Sequence, residues 1–347
     1  GERSGALRDA RLRPHEKGAL RIPANDWKEG ERLHVEFYRH DSLLVDRYEL
    51  ALGNPQRPIP VCRAGDLKVQ EVEGRITLRG EGFSMHVNTR TGLLEDVIHG
   101  SDTLIKSGPY LNLRVPGNAV QYSTIQMDDL AQHWKCDRFS HSMEEGMAVI
   151  KSEGRYEQAK ASFTMRIDDQ GIMEISYSAQ VDSHKKNIQE AGIKFITGDS
   201  FEKLSWERDP YFTAYPQWHP GRARGEALLT YKPESVYREE PGHGWEHDTW
   251  SFYYYGLQDK LPYSNDIRSL KEHIYAYTLS TGSNTKLKVL SKGDQACRFD
   301  LIGGDNTLLI NDLWDYFSLR WGNYMKLIPL EQELDGKIII ALSGLSP

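Results

Sequence analysis

Membrane-length apolar runs, helical periodicity, catalytic signature motifs and paired cysteines are all scarce or missing in this sequence of 347 residues. No apolar run approaches the roughly 18 residues of a spanning helix, so no membrane partner is expected. The three cysteines, Cys62, Cys136 and Cys297, are far apart and form no C-x-x-C pair. That excludes a zinc ribbon or redox motif, and three buried free thiols are expected rather than a disulfide framework. Excess positive charge is also lacking: 43 Lys+Arg stand against 50 Asp+Glu, a formal charge of −7. No basic field gathers phosphates, which argues against a nucleic-acid partner and leaves room for an uncharged ligand such as a sugar. G-x-S-x-G, a Walker loop, H-E-x-x-H and a G-x-G-x-x-G in a βαβ setting are all absent, so no cofactor is expected. His243-x-x-x-His247 has metal spacing, but it works only on one face of a helix, and Pro241, Gly242 and Gly244 oppose a helix there. No metal is expected.

What is present is a period of two. Leu33, Val35 and Phe37 alternate with polar residues, as do Phe83, Met85 and Val87. Phe163-Met165-Ile167 and Met173-Ile175-Tyr177 flank Asp168-Asp169-Gln170-Gly171, the composition of a hairpin turn. Strand after strand with turn signals points to sandwiches. The best candidate for a helix, TIQMDDLAQHWK, is short. Gly53 to Pro60 (GNPQRPIP) carries three prolines and has the composition of a linker. The residues before it have room for three or four strands, too few for a closed immunoglobulin-like sandwich of about seven. No comparable break follows, and a β domain of ~280 residues suits a super-sandwich of two large sheets. The chain opens with Gly1 and Glu2 rather than Met, and it is expected to be a piece of a longer protein.

The richest stretch runs from Trp206 to Trp250, with four of the eight tryptophans together with His219, His243 and His247. A pyranose lays its apolar face on an aromatic ring while its hydroxyls demand charged or amide partners, and this stretch has both. The same residues also fit a loop-rich sandwich core. Asp209, Trp218, His219, Arg222, Trp245, His247 and Trp250 are the candidate sugar contacts, the rings for stacking, Asp209 and Arg222 for hydroxyls. Trp314, Tyr316, Trp321 and Tyr324 alternate in a way that suits the core face of a strand. A glycosidase needs two placed carboxylates, and the sequence does not pair any of its fifty acidic residues.

At these residues the chain resembles the C-terminal region of family 2 glycoside hydrolases, the β-galactosidase group. Residues 76 to 115 follow that family's pattern, ending in G-P-x-L-N-x-R at Gly108, Pro109, Leu111, Asn112 and Arg114. A W…P…Y-P block is matched by Trp206, Pro210, Tyr215 and Pro216, and an H-x-G-R block by His219, Gly221 and Arg222. A further block is matched by Asp266, Arg268, Ser269, Lys271, Ile274 and Tyr275. Arg208 and Asp209 stand where better-known members carry glycines before the proline.

The resemblance spans about residues 70 to 345, and it implies an all-β chain. Residues 1–60 would be a partial immunoglobulin-like β domain with its linker, and 61–347 a galactose-mutarotase-like β super-sandwich. It also implies that the catalytic glutamates belong to an upstream (β/α)₈ barrel, about 250 residues of alternating strand and helix for which this chain has no room. The expectation is therefore a non-catalytic portion of a glycosidase. Its partners would be carbohydrate and the parent's barrel, with a periplasmic or extracellular setting implied by the polysaccharide-degrading context. Two alternatives differ in class: a stand-alone carbohydrate-binding module, and an aldose-1-epimerase. The latter would use His219 or His247 as general acid with Glu207 or Asp209 as base.

Overall fold

The computed structural model describes residues 5–6, 15–19, 21–22, 26–53, 57–116, 127–211, 221–228, 269–315 and 328–342. By contacts the chain divides into two compact units, Gly1–Gln56 and Arg57–Pro347.

Among its described residues the first unit holds one antiparallel hairpin, β1 (Arg32–Tyr38) and β2 (Leu44–Ala51), where the sequence left room for three or four strands. Its register places Leu33 opposite Leu50 and Val35 opposite Tyr48, which gives one apolar face, with Phe37 and Tyr48 packed edge to face. The opposite face carries the pairs Arg32–Glu49 and Arg47–Glu36. The alternation thus makes the ribbon amphipathic, as a strand period of two requires.

The second unit is built entirely of strands among the described residues. In chain order the first are β3 (Lys68–Val72), β4 (Arg75–Arg79), β5 (Phe83–Asn88), β6 (Leu93–His99), β7 (Asp102–Pro116), β8 (Met127–Asp129) and β9 (Lys135–Glu144). There follow β10 (Met147–Arg155), β11 (Ala159–Ile167), β12 (Ile172–Val181), β13 (Asn187–Ile188), β14 (Glu190–Thr197), β15 (Phe201–Arg208) and β16 (Arg224–Leu228). The last are β17 (Ile274–Thr281), β18 (Lys286–Leu290), β19 (Ala296–Ile302), β20 (Asp305–Trp314), β21 (Ile328–Pro329) and β22 (Glu333–Leu342). They form two nine-stranded sheets and the small pair β13–β21. One large sheet runs β16-β15-β17-β18-β22-β12-β11-β10-β9; the other runs β19-β20-β14-β7-β6-β5-β4-β3, with β8 paired to β7.

The sheets pack face to face over one core. Leu111, Leu113, Ile193, Phe195, Leu308 and Ile310 come from one sheet; Phe163, Met165, Met173, Ile175, Tyr277, Ile338 and Ile340 come from the other. Each such side chain, fully buried, contributes roughly 1.5–3 kcal/mol of apolar transfer. The all-β super-sandwich expected from the strand period is therefore the fold.

The hairpin turn expected at Asp168 to Gly171 joins β11 to β12. Asp168 Oδ1 accepts the backbone N–H groups of Gln170 at 3.1 Å and Ile172 at 2.8 Å, and Gly171 takes a positive φ of 81°. An Asp that bonds its own turn and a Gly that tolerates left-handed backbone are what fix this reversal.

Two expectations are corrected here. The TIQMDDLAQHWK segment contributes strand β8, hydrogen-bonded to β7, and residue 135 already opens β9; residues 124–126 lie outside the described set. Twelve residues hold little helix without an apolar stripe to bury, and ladder pairing wins. Of the thiols, all free, only Cys297 is buried; Cys62 and Cys136 are half-buried. Burial still pushes the Cys62 thiol up to about 12, which leaves it an unreactive neutral donor to the carbonyls of Arg166 and Ile172, each at 3.3 Å.

A polar contact links the two sheets inside the sandwich. The Tyr177 hydroxyl donates to Asp312 Oδ2 at 2.6 Å, and Gln295 Nε2 donates to Asp312 Oδ1 at 2.8 Å. Burial raises the Asp312 carboxyl above its ordinary value, against the pull of those two hydrogen bonds. A carboxyl whose folded pKa lies above its unfolded value binds its proton more tightly in the native state. The stability it contributes is present in acid and is lost as pH rises through the folded pKa. Asp312→Asn should therefore flatten the decline in stability above about pH 4, read as denaturation midpoints against pH. Parallel profiles for the two proteins would show that Asp312 does not titrate between the states.

Candidate functional site

In the sheet that carries β7, β14, β19 and β20, the face turned away from the shared core is also buried, and it is polar. Leu111, Leu113 and Val115 of β7 enter the core, so alternation sends Asn112 and Arg114 to the other side. By the same rule Ile193 and Phe195 of β14 leave Lys194 there, and Cys297 and Phe299 of β19 leave Arg298 and Asp300. Glu190 lies directly opposite Arg114 in the β14–β7 ladder.

Most of these side chains form one hydrogen-bonded network, with the Lys194–Asp129 pair beside it. Arg298 Nε donates to Glu190 Oε1 at 2.6 Å and its Nη2 to Glu190 Oε2 at 3.2 Å, a bidentate pair, while its Nη1 binds Asp300. Asn112 Nδ2 donates to Glu190 Oε2 at 3.0 Å and to Asn311 Oδ1 at 2.8 Å, and Asn112 Oδ1 accepts Arg114 Nε at 3.2 Å. Lys194 Nζ reaches Asp129 Oδ2 at 2.6 Å. Burial by itself would raise the Glu190 carboxyl; the charge and hydrogen bonds of Arg298, then Arg114 and Asn112, outweigh it and hold Glu190 below its ordinary value. Burial lowers the Lys194 ammonium, and Asp129 works against that.

An aromatic rim adjoins this floor. Trp314 is opposite Glu190 in the β14–β20 ladder, so the half-buried indole shares the polar face. The His273 ring meets Trp314 edge to face at 5.2 Å between centroids, and Tyr211 meets His273 in the same way at 5.7 Å. His273 stands at a crossing. Lys271 pairs with Cys297 beside β19, and two residues on, past His273 with its positive φ of 53°, the chain enters β17 of the opposite sheet. His273 Nδ1 lies 3.0 Å from the Gly293 carbonyl, to which it donates, and this fixes the ring's orientation. Tyr211 is 58% exposed, yet partial burial and then the charge and hydrogen bond of Glu272 push its phenol up to about 12. Nearby, Glu207 holds Arg224 at 2.5 Å and Arg57 at 3.3 Å, and the Arg57 guanidinium lies 3.6 Å over the Tyr275 ring.

Of the residues the sequence singled out, Trp218, His219, Trp245, His247 and Trp250 lie outside the described residues, as do Tyr316, Trp321 and Tyr324 of the last aromatic cluster. Asp209 is exposed on the rim, its backbone N–H donating to the His273 carbonyl at 2.9 Å. Arg222 is half-buried, and its carbonyl accepts the Trp206 indole N–H at 2.9 Å and Arg208 Nε at 3.4 Å. Glu207, a base candidate for an epimerase, is engaged by two arginines. Residues quoted from separate sequence blocks do meet. Lys271 Nζ lies 4.4 Å over the Trp206 ring, and Asn112 and Arg114 both join the network around Glu190. Trp314, read from sequence as core, stands instead at the rim because a ladder irregularity opposite Ala191/Gly192 resets its face.

Sequence reasoning did not find Glu190, Arg298, Asn311 or Tyr211 as site residues. The signal available was apolar–charged alternation, which looks identical whether the charged face meets water or a buried site. Among the described residues no group of three or more His, Cys, Asp or Glu is placed to hold a metal ion.

No family model matches the sequence, and no curated protein matches it. Solved structures do show similarity. One is a galactose 1-epimerase from Lactobacillus acidophilus NCFM, at 11% identity and a TM-score of 0.39, covering 90% of this chain and 98% of that one. A β-arabinopyranosidase is similar at 12% identity and a TM-score of 0.38, over 79% of this chain and 40% of that one. A putative aldose 1-epimerase from Escherichia coli K12 is similar at 10% identity and a TM-score of 0.38, over 80% of this chain and 98% of that one.

Proposed function

We propose that this chain is a carbohydrate-binding, non-catalytic portion of a larger carbohydrate-active protein, and that sugar occupies the seam between the Glu190 floor and the rim of Trp314, His273 and Tyr211. The observation that carries this reading is the continuity of a buried charged floor with an aromatic wall: Arg114, Glu190 and Trp314 lie in one row across β7, β14 and β20. Rings for the apolar face of a pyranose and fixed polar groups for its hydroxyls are what a sugar site needs. Asp209 and Arg222 remain proposed contacts. Glu190 is kept ionised and occupied by Arg298 and Asn112, which suits positioning and opposes proton transfer near neutral pH.

The parent is proposed to be a family 2 glycoside hydrolase of the β-galactosidase group, with its catalytic barrel elsewhere in the protein. What supports that finer assignment is the set of sequence blocks, at Asn112 and Arg114, Trp206 and Pro210, and Ser269 to Tyr275. Calorimetric titration with neutral mono- and oligosaccharides should give saturable heat. Tyr211→Ala and Trp314→Ala should each weaken binding at least tenfold, about 1.4 kcal/mol. Equal affinity in all three proteins, or no heat from any sugar, would remove this reading.

The second reading, aldose-1-epimerase activity, is favoured by one observation, the His273 imidazole held at the rim between Trp314 and Tyr211 with its Nδ1 on the Gly293 carbonyl. A coupled mutarotation assay decides it: interconversion of anomers that is lost in His273→Gln would establish catalysis, and a rate equal to buffer would dismiss it.

A further inference from the structure

The chain from Arg57 to Leu67 forms no strand, yet it is fastened across the outer face of the sheet that carries β12 and β22. At its start the Arg57 guanidinium reaches Glu207 and lies over the Tyr275 ring. Pro58 and Pro60 follow, with no N–H to leave unpaired. Ile59 and Cys62 pack on Ile172, Ile339 and Ala341, a small apolar cluster apart from the main core. Successive residues of β22 are apolar for this reason: Ile338 and Ile340 enter the core, while Ile339 and Ala341 meet the strap. At its far end Gly65 and Leu67 donate to the carbonyls of Glu145 and Gly146, between β9 and β10, at 3.3 and 3.4 Å.

We infer that this strap is an acid-released clasp: carboxylates hold its backbone, and protonating them lifts residues 57–66 while the sandwich stays folded. Three of its N–H groups donate to side-chain carboxylates rather than to a ladder. Cys62 donates to Glu174 Oε1 at 2.7 Å, Arg63 to Asp168 Oδ2 at 3.1 Å and Asp66 to Asp169 Oδ2 at 2.9 Å. Hydrogen bonds to an ionised acceptor are roughly twice as strong as neutral ones, and that excess goes when the acceptor takes up a proton. The seating is close: a Cβ at Gly65 would lie 2.4 Å from Asp169 Oδ1. Little else holds the strap. It adds no strand to either sheet, and Ile59 and Cys62 are only half-buried. Segments with few buried apolar contacts open locally at less cost than global unfolding.

The other charged groups at the clasp do not titrate the fastening. Lys337 of β22 lies 2.6 Å from Glu174 Oε2, and Arg166 of β11 also faces Glu174; both stay cationic throughout acid. Asp66 pairs with Lys68 and Glu144 with Arg166, and neither side chain holds the strap backbone. Burial by itself would raise the Glu174 carboxyl; the hydrogen bonds from Lys337 and the Cys62 N–H outweigh it and hold Glu174 below its ordinary value. A carboxylate lowered in this way stabilises the closed strap at neutral pH, and that contribution is lost as pH falls through its folded value. Release bares Ile172, Ile339 and Ala341 and frees the Cys62 thiol from the carbonyls of Arg166 and Ile172.

The test labels the intact chain with a dipyridyl disulfide, which reacts with thiols in acid as well as at neutral pH, and reads the labelled cysteines by peptide mass. Cys136, half-buried on β9, is the internal reference, and the fully buried Cys297 reports global unfolding. Between about pH 7 and about pH 3 the rate ratio of Cys62 to Cys136 should rise roughly tenfold or more before Cys297 becomes reactive. The double variant Glu174→Gln/Asp169→Asn exchanges two of the carboxylates for neutral acceptors. Its Cys62 should already label faster at about pH 7, and the further rise in acid should be roughly threefold or less. A ratio unchanged down to about pH 3 would overturn the inference, as would Cys62 and Cys297 becoming reactive together. These outcomes in the unmodified chain decide the matter if the double variant does not fold. A folded double variant whose ratio follows pH as the parent's does would equally overturn it.

Discussion

Replacing Arg298 with alanine should lower the stability of the second unit by roughly 3–5 kcal/mol, because it strands a buried carboxylate. Glu190 is fully buried, and Arg298 donates to both of its oxygens as well as to Asp300. The pair as a whole is not a large source of stability, since desolvating two charges offsets most of their attraction. Breaking it is costly because the carboxylate left behind has neither water nor its principal cation. The double variant Arg298→Met/Glu190→Gln should accordingly recover much of the single-variant loss. Urea denaturation of the three proteins measures this directly. A single-variant cost below about 1 kcal/mol would mean that Glu190 finds other partners or takes up a proton.

A loss of similar size, roughly 3–5 kcal/mol, is expected for Trp206→Ala, for reasons of packing. Trp206 joins the core, is 5% exposed, and closes the edge of the sandwich between β15, β16 and the Lys271 crossing. Its indole N–H satisfies the Arg222 carbonyl, and Gly225 approaches the ring so closely that a Cβ at that position would lie 2.3 Å from Trp206 Cζ2. Lys271, 1% exposed, rests its ammonium on this ring, so removing the indole opens a cavity and takes away a face on which the cation was stabilised. Lys271→Met in the Trp206→Ala background separates the two effects. If the second substitution restores part of the stability, the cation carried part of the cost; if the losses add, the cavity carried all of it. Thermal denaturation that leaves Trp206→Ala within a few tenths of a kcal/mol of the parent would contradict the packing described.

The architecture was legible from the sequence because each strand on the core side keeps its period over many residues, as in Phe163-Met165-Ile167 against Met173-Ile175-Tyr177. The turn at Asp168 to Gly171 was legible because its chemistry is local. The site was only partly so. Asp209 is tied to His273 through the backbone and Arg222 to Trp206 and Arg208, but the floor is assembled from β7, β14, β19 and β20, strands separated by up to 199 residues, as between Asn112 and Asn311. Nothing in the spacing of Asn112, Glu190 and Arg298 announces that they meet. Trp314 was misplaced for a different reason: a ladder irregularity shifts a side chain from one face to the other, and no alternation pattern records that.

The most direct test is a crystal structure of this chain with a neutral oligosaccharide. A sugar ring lying against Trp314 or Tyr211 is the predicted result. Sugar bound on another surface, with the Glu190 floor and its rim unoccupied, would contradict it.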